Sequence, residues 1–169
     1  LPTRDQLDTL AAQLRAERPL PPPVVDLLRR FPAEANPMAM LRTAVSALAL
    51  YDPDAEDMSA EANYRKAVRL TARVPTVIAA FDRLRKGKEL VAPLQEESVA
   101  YDFLYMLNGE RPGAAAVRTF DVCLVLHAEH GLNASTFTGR VVGATLADLY
   151  SAVTAAIGAL KGPLHGGAN

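Results

Sequence analysis

Apolar side chains recur at three- and four-residue spacing along most of this sequence, and prolines interrupt the pattern at intervals. The first such segment carries Leu7, Leu10 and Leu14, while Pro37 and Pro75 stand where later segments begin. This spacing places apolar residues on one face of a helix, and proline is favoured in the first helical turn. The sequence lacks the sustained alternation of apolar and polar residues that is typical of strands. We therefore predict an all-α fold of about seven to nine helices.

Local capping and breaking residues predict several helix ends. Thr3 begins a capping-box pattern, and the helix after it is expected to run to about Arg18. Ser59 is expected to cap a helix through Arg73, and Pro75 to open a separate one. The connection between these two helices is therefore predicted to be kinked.

Two later segments, residues 113–130 and 135–160, are dominated by small and apolar side chains. Each is predicted to form a helix that is mostly buried. Cys123 lies between apolar neighbours in the first of them, so we expect it to be a small buried side chain.

Length and charge exclude several classes of protein. The 169 residues suffice for one domain with a substantial core, and the formal net charge of −1 indicates neither a nucleic-acid partner nor an anionic membrane. A single cysteine cannot form an internal disulfide, which fits a cytoplasmic protein. No apolar run is long enough to cross a membrane, and the start at Leu1 has neither a signal-peptide pattern nor an initiator Met. We therefore expect a processed or cut start.

All three histidines, His127, His130 and His165, fall in the last third of the chain. The first two are three residues apart, so on one helix they would share a face near its C-terminal end, where the dipole favours a protonated imidazole. Such a pair can meet an anionic ligand, or it can simply pack and cap the helix end. With Glu129 and His165 it also offers zinc-type donor atoms, although the spacing matches no common zinc motif.

His165 lies in the glycine-rich segment Gly162-Pro-Leu-His165-Gly-Gly-Ala-Asn169, which breaks the preceding helical pattern. Glycines allow a ligand to approach the backbone closely and leave amides free to bind an anion or an oxyanion. The segment is consistent with a ligand site or with an ordinary turn that exposes one histidine.

Longer motifs resemble those of one family. Three motifs in the last third resemble citrate synthases: His127-Ala-Glu-His130-Gly-Leu-Asn133-Ala-Ser135-Thr-Phe-Thr, Asp148-Leu-Tyr150 and the segment 162–169. Three more look like the same family in the same order: Pro37-Met38 followed by Leu41-Arg-Thr-Ala-Val-Ser46, Val74-Pro-Thr-Val-Ile-Ala-Ala-Phe81, and Asp102-Phe-Leu-Tyr-Met-Leu-Asn-Gly109. The resemblance covers essentially the whole chain.

The resemblance implies a multi-helical citrate synthase fold and a reaction of the tricarboxylic acid cycle. In this reaction acetyl-CoA condenses with oxaloacetate, and hydrolysis of the citryl thioester gives citrate and CoA. His165 matches the family's catalytic histidine that donates a hydrogen bond to the thioester carbonyl while the methyl group loses a proton. That role suits a neutral imidazole, a state that free backbone amides at a helix start would favour. No metal and no cofactor is implied, since acetyl-CoA is a substrate.

The resemblance also implies roles for three residues that precede His165. His130, which is followed shortly by Asn and Ser, matches the oxaloacetate-binding histidine. Asn133 can offer a donor and an acceptor to the same substrate, and Ser135 is the candidate to orient His165. Helix capping is the alternative for both Asn133 and Ser135.

The same resemblance implies a domain arrangement. Residues 1–162 would form part of a large helical domain, and residues 163–169 the catalytic-histidine loop that leads into a small domain beyond this sequence. The family's second catalytic histidine, base Asp and carboxylate-binding arginines would follow, so we expect this stretch alone to be inactive. Asn36 stands where family members commonly have His, a departure that affects only local capping or packing.

Assembly and substrate choice follow less directly. Citrate synthases are homodimers or larger, so the segment from Val141 to Leu160 is a candidate for packing across a subunit interface or within one subunit.

The 2-methylcitrate synthases share these motifs but accept propionyl-CoA, and one methylene changes the free energy of substrate discrimination by only about 1–3 kcal/mol. His127 favours citrate, since the methylcitrate enzymes often carry Tyr there. A noncatalytic helical interaction module is the alternative from a different class.

Overall fold

The computed structural model describes residues 1–94 and 98–166, so predictions that fall on 95–97 and 167–169 lie outside the described residues. All regular secondary structure in the described part is helical, which confirms the predicted all-α fold. The helices, which include one short 3-10 turn at Ala49–Tyr51, are α1 (Arg4–Ala16), α2 (Pro22–Arg30), α3 (Pro37–Leu48), α4 (Ala60–Arg85), α5 (Val99–Asn108), α6 (Ala114–His127), α7 (Ala134–Gly143) and α8 (Leu149–Leu160).

The capping box predicted at Thr3 is confirmed. The Thr3 hydroxyl accepts from the Gln6 amide at 3.3 Å, and the Gln6 side chain accepts from the Thr3 amide at 2.9 Å. The Ser98 hydroxyl caps α5 by accepting from the Tyr101 amide, and Gly109 ends that helix at a φ of 83°. Asn36 caps α3 through its side-chain oxygen, which accepts from two backbone amides.

Pro75 lies inside α4, which is a single helix of 26 residues, so the prediction of two helices meeting at this proline is wrong. An internal proline removes one backbone hydrogen bond and costs about 3 kcal/mol. Beyond it, α4 buries Val77 and Phe81, each almost fully. Burial of two such side chains contributes about 1.5–3 kcal/mol each, which outweighs the cost of the proline.

The predictions for α6 are wrong in two respects. The helix ends at His127, short of the expected His130, and none of its residues is buried. Cys123 is exposed as well. The Phe120 ring stacks on Phe103 of α5 with centroids 5.0 Å apart, whereas Leu126 is 72% exposed. Apolar composition indicates an affinity for burial, but it does not determine which element covers the helix.

Residues 135–160 form two helices where the sequence suggests one. The chain turns between α7 and α8, and Leu146 adopts a left-handed conformation in this turn at a φ of 63°. Asp148 then caps α8. The predicted burial holds for parts of α8, which buries Tyr150, Ala152 and Ile157, but α7 has no buried residue.

The chain divides into two compact units, and the first comprises Leu1–Leu20 and Val68–Glu129. Its core includes Ala100 and Met106 of α5. A buried ion pair joins Arg18 and Asp102, with Nη1 and Oδ2 3.2 Å apart. The Leu94 amide donates to Asp102 Oδ1 at 2.7 Å, and its carbonyl accepts from Arg18 at 2.7 Å, so this ion pair also holds the backbone of Leu94.

The second unit comprises Pro21–Ala67 and His130–Asn169 and is described to residue 166. Within it α3 packs against α2 and α8, and α8 packs against α7. The buried Tyr150 hydroxyl of α8 donates to Asp52. Asp52 lies in the connection between the 3-10 turn and α4, where Lys66 donates to the carbonyls of Ala55 and Asp57 at 3.1 and 2.6 Å. The carboxyl-terminal half of this unit, α7 and α8, carries the candidate site.

Among the described residues, no helix combines the length and the apolar character needed to cross a membrane.

The Asp148 cap makes a testable contribution to stability. Partial burial raises the pKa of Asp148, but hydrogen bonds from the Ser151 hydroxyl and amide outweigh burial and hold the pKa below its ordinary value of 3.8. Since the folded pKa is depressed, the carboxylate stabilises the fold fully above the unfolded pKa, and this contribution is lost as pH falls through the folded pKa. We expect Asp148→Ala to lower the free energy of unfolding by about 1 kcal/mol at pH 7. Urea unfolding at several pH values should show that difference shrinking below pH 3.8; a difference that grows on acidification would contradict the assignment.

Candidate active site

The first part of the site is the N-terminus of α7. Asn133 is its N-cap, and Asn133 Oδ1 accepts from the Thr136 amide at 2.9 Å and from the Ser135 hydroxyl at 2.7 Å. The side-chain oxygen of Asn133 therefore caps the helix, which is the alternative role considered for this residue. Its Nδ2 takes no part in the cap and can donate to a ligand. Ser135 is the second residue of α7, so its amide is one of those that a helix start leaves without an intrahelical acceptor.

The second part is the turn that follows α8. The Gly162 amide donates to the Ala159 carbonyl, and the His165 amide donates to the Gly162 carbonyl, both at 3.0 Å. A Cβ at Gly166 would lie 2.9 Å from the backbone oxygen of Leu160, so only glycine fits there without a shift. These contacts tie the backbone of His165 to the end of α8.

The two parts meet at the imidazole of His165. Its Nε2 lies 3.2 Å from the Ser135 amide nitrogen and 3.0 Å from Ser135 Oγ. The ring is partly buried. Residues 30 positions apart in the sequence are thus in direct contact because α7 and α8 form a helical hairpin that returns the chain to its starting end.

The hydrogen bond from the Ser135 amide indicates the tautomer of His165. The hydrogen on the Ser135 amide is fixed by the peptide plane and points at Nε2, so Nε2 is an acceptor and the ring proton lies on Nδ1. A proton on Nε2 would face the amide hydrogen, so the contact favours the tautomer with its proton on Nδ1. Among the described residues Nδ1 has no hydrogen-bond partner, which leaves its N–H free to donate to a ligand.

His130 lies outside any helix, in the exposed segment that joins α6 to α7, three residues before Asn133. The expectation that His127 and His130 share a helix face is therefore wrong, and the dipole argument does not apply to His130. His127 is the last residue of α6, and its Nδ1 lies 2.7 Å from the Cys123 carbonyl, one turn back in the same helix. His127 therefore caps the end of its own helix, which is the structural role considered for it as an alternative to ligand binding.

The structure does not support the metal site that the histidines and Glu129 could form. Within the residues that the structure describes, no three His, Cys, Asp or Glu side chains lie close enough together to hold a metal ion.

One residue near the site went unnoticed in the sequence. Gly139 lies one helical turn after Ser135 on the same face of α7, where its Cα faces Ala152 and Ala156 of α8. A glycine inside a helical pattern is unfavourable by about 1 kcal/mol relative to alanine, so its presence signals a packing reason. The sequence alone does not identify what packs against it.

The helical hairpin holds the His165 ring at the N-terminus of α7 with Nδ1 free to donate, so the fold and site define a helical protein that can bind a hydrogen-bond acceptor. The model of the family described as "Citrate synthase, C-terminal domain" matches residues 1–169. The chain is 54% identical over its whole length to citrate synthase 2 of Bacillus subtilis and 49% identical to citrate synthase of Deinococcus radiodurans. It is also 47% identical to 2-methylcitrate synthase of Mycobacterium tuberculosis. The chain belongs to the citrate synthase family.

Solved structures agree with this assignment. Citrate synthase from Pyrobaculum aerophilum superposes with a TM-score of 0.93 over 98% of the chain at 41% identity. Citrate synthase from Thermoplasma acidophilum, in a ternary complex with carboxymethyl coenzyme A and oxaloacetate, superposes with a TM-score of 0.91 over 99% of the chain at 29% identity. The chain covers 43% and 44% of those two structures, and 46% and 45% of the Bacillus and Deinococcus relatives, so it spans a little less than half of their length.

Proposed function

We propose that the full-length protein containing this chain is a citrate synthase, which condenses acetyl-CoA with oxaloacetate and releases citrate and CoA. The observation that carries this proposal is the contact of His165 Nε2 with the amide and hydroxyl of Ser135, which leaves Nδ1–H as a donor. A neutral N–H donor suits an oxygen on which negative charge develops.

In the proposed reaction, His165 Nδ1–H donates to the thioester carbonyl oxygen of acetyl-CoA. A carboxylate base, which the family resemblance implies elsewhere in the full-length protein, removes a proton from the methyl group. The electron pair moves onto the carbonyl oxygen, where the hydrogen bond from His165 stabilises the enolate or enol. The resulting carbon nucleophile adds to the keto carbon of oxaloacetate, whose oxygen takes up a proton in place of the one removed from the methyl group, and water then hydrolyses the citryl thioester.

His130 and Asn133 are proposed to bind oxaloacetate. An exposed imidazole can hydrogen-bond to a dicarboxylate, and Asn133 Nδ2 is a donor that the N-cap does not use. Ser135 is proposed to orient His165, since its amide donates to Nε2 and its hydroxyl oxygen lies 3.0 Å from the same nitrogen. No cofactor and no metal is proposed, because the reactants supply all atoms of the products.

Propionyl-CoA is the second candidate substrate. The 47% identity to a 2-methylcitrate synthase favours it, and a methylene discriminates weakly between the two thioesters. His127 favours acetyl-CoA, because 2-methylcitrate synthases often carry Tyr at this position.

The test is thioester turnover by the full-length protein from its own gene. CoA release would be followed with a thiol reagent in the presence of oxaloacetate and either acetyl-CoA or propionyl-CoA, with reactions lacking oxaloacetate as the control. We expect oxaloacetate-dependent release and a higher kcat/KM for acetyl-CoA. A higher kcat/KM for propionyl-CoA would identify a 2-methylcitrate synthase. Absence of turnover with both thioesters would favour the noncatalytic interaction module.

Three further features are proposed for the full-length protein. A homodimer is supported by the exposed apolar side chains of α6 and α7, among them Leu126, Phe137 and Val141. A large helical domain that includes residues 1–162, followed by a histidine loop at 163–169, is supported by the family resemblance, which also implies that this stretch alone is inactive. A cytoplasmic location is supported by the single cysteine.

A further inference from the structure

α7 lies close to α8 at Gly139. A Cβ built on Gly139 would lie 3.5 Å from the Ala152 carbonyl oxygen and 3.6 Å from the Ala156 Cβ. Both are ordinary contact distances, so a methyl group fits and anything longer meets the backbone and side chain of α8. The two helices approach this closely because the residues at the contact are small.

The same contact lies one helical turn from the site on each helix. Ser135 precedes Gly139 by four residues on α7, and Leu160 follows Ala156 by four residues on α8. One turn rises about 5.4 Å, and residues four apart lie on the same face. Leu160 in turn packs against Gly166, the neighbour of His165, since a Cβ at Gly166 would lie 2.9 Å from both the carbonyl oxygen and a side-chain carbon of Leu160.

We propose that Gly139 is a positioning residue for the active site, because α8 leaves room there for no more than a methyl group and a longer side chain would change the distance across which Ser135 holds His165. A larger residue at 139 moves α7 away from α8, and the contacts of Nε2 with Ser135 at 3.2 and 3.0 Å then lengthen beyond the usual hydrogen-bond range. The inference rests on the proposed function for its kinetic effect and on geometry alone for its effect on the imidazole.

The test compares Gly139→Leu with two matched variants in the full-length protein. Gly139→Ala adds only the methyl group that fits, and Gly143→Leu places the same side chain four residues later on the same helix, where nothing lies within 4 Å of the Cβ. For Gly139→Leu we expect kcat to fall about 100-fold, the typical effect of a misplacement near 1 Å. Gly139→Ala and Gly143→Leu should keep kcat within about threefold, which is the margin expected for changes that leave the helix packing intact.

A second measurement reports on His165 without turnover. With ¹⁵N-labelled histidine, the wild-type protein should show Nε2 as an unprotonated acceptor and Nδ1 as protonated, and Gly139→Leu should shift the ring toward a mixture of tautomers. If the wild-type protein turns over neither thioester, the proposed function fails while this readout still decides the role of Gly139. If Gly139→Leu does not fold, Gly139→Val carries the same comparison with a smaller side chain.

The positioning role is overturned if folded Gly139→Leu keeps both the wild-type tautomer and its kcat. It is also overturned if Gly143→Leu changes both readouts as much as Gly139→Leu does.

Discussion

Replacement of His165 by alanine in the full-length protein is expected to lower kcat for citrate formation about 10²- to 10³-fold, the usual cost of removing one donor to a developing oxyanion. The KM for oxaloacetate should change much less, because the proposed partner of His165 is the thioester carbonyl. Thermal unfolding of the variant should stay close to wild type, since the ring is partly exposed and, within residues 1–94 and 98–166, its hydrogen bonds involve only Ser135. Steady-state kinetics with varied acetyl-CoA and varied oxaloacetate measure these effects.

Ser135→Ala is expected to lower kcat less than His165→Ala does. This change removes the hydroxyl but keeps the amide that donates to Nε2, so we expect a loss of kcat of about tenfold, equivalent to one hydrogen bond of about 1.4 kcal/mol. Thr138→Ala is the matched control on α7, since the Thr138 hydroxyl donates only to the Ala134 carbonyl of its own helix at 2.8 Å. Wild-type kcat in His165→Ala would refute the assignment of His165 as the donor.

Replacement of Arg18 by methionine is expected to lower the free energy of unfolding by about 3–5 kcal/mol, which is the cost of leaving one partner of a buried ion pair uncompensated. Arg18 and Asp102 are 4% and 1% exposed, so water cannot solvate the remaining carboxylate. The change also removes the donor to the Leu94 carbonyl. A lower urea midpoint with an unchanged slope would identify the effect as a loss of stability.

A second substitution separates charge from packing. Arg18→Met combined with Asp102→Asn removes the uncompensated charge and keeps the oxygen that accepts from the Leu94 amide, so most of the lost stability should return. Arg4→Met is the control, because the Arg4–Asp8 pair is exposed and its loss should change stability by no more than about 0.5 kcal/mol. An Arg18→Met protein as stable as Arg4→Met would show that the buried pair contributes nothing net.

Helix starts and stops were predictable wherever the determining residues are adjacent in sequence. Thr3, Ser98 and Asn36 act through amides two or three residues ahead, and Gly109 acts through its own backbone angle. Pro75 shows the limit of such reasoning. Its local preference is to begin a helix, but the burial of residues that follow it in α4 overrides that preference.

The residues of the candidate site were predictable from the sequence, but their positions relative to one another were not. The resemblance singled out His165, Ser135 and Asn133, and the structure places these three in one hydrogen-bonded group. It places His130 in the segment before that group and off the helix expected for it. The donor left on Nδ1 depends on the direction of one amide hydrogen, which no motif specifies.

The sequence by itself determined the helical class, most helix ends and the family, because each depends on nearest neighbours along the chain or on motifs read directly. Tertiary structure alone decided the division of residues 135–160 into α7 and α8, the exposure of α6, and the meeting of Ser135 with His165. The physical reason is distance along the chain. Contacts between residues 30 apart depend on how closely two helices approach, and that depends on the fit of small side chains such as Gly139 against a surface that local spacing does not encode.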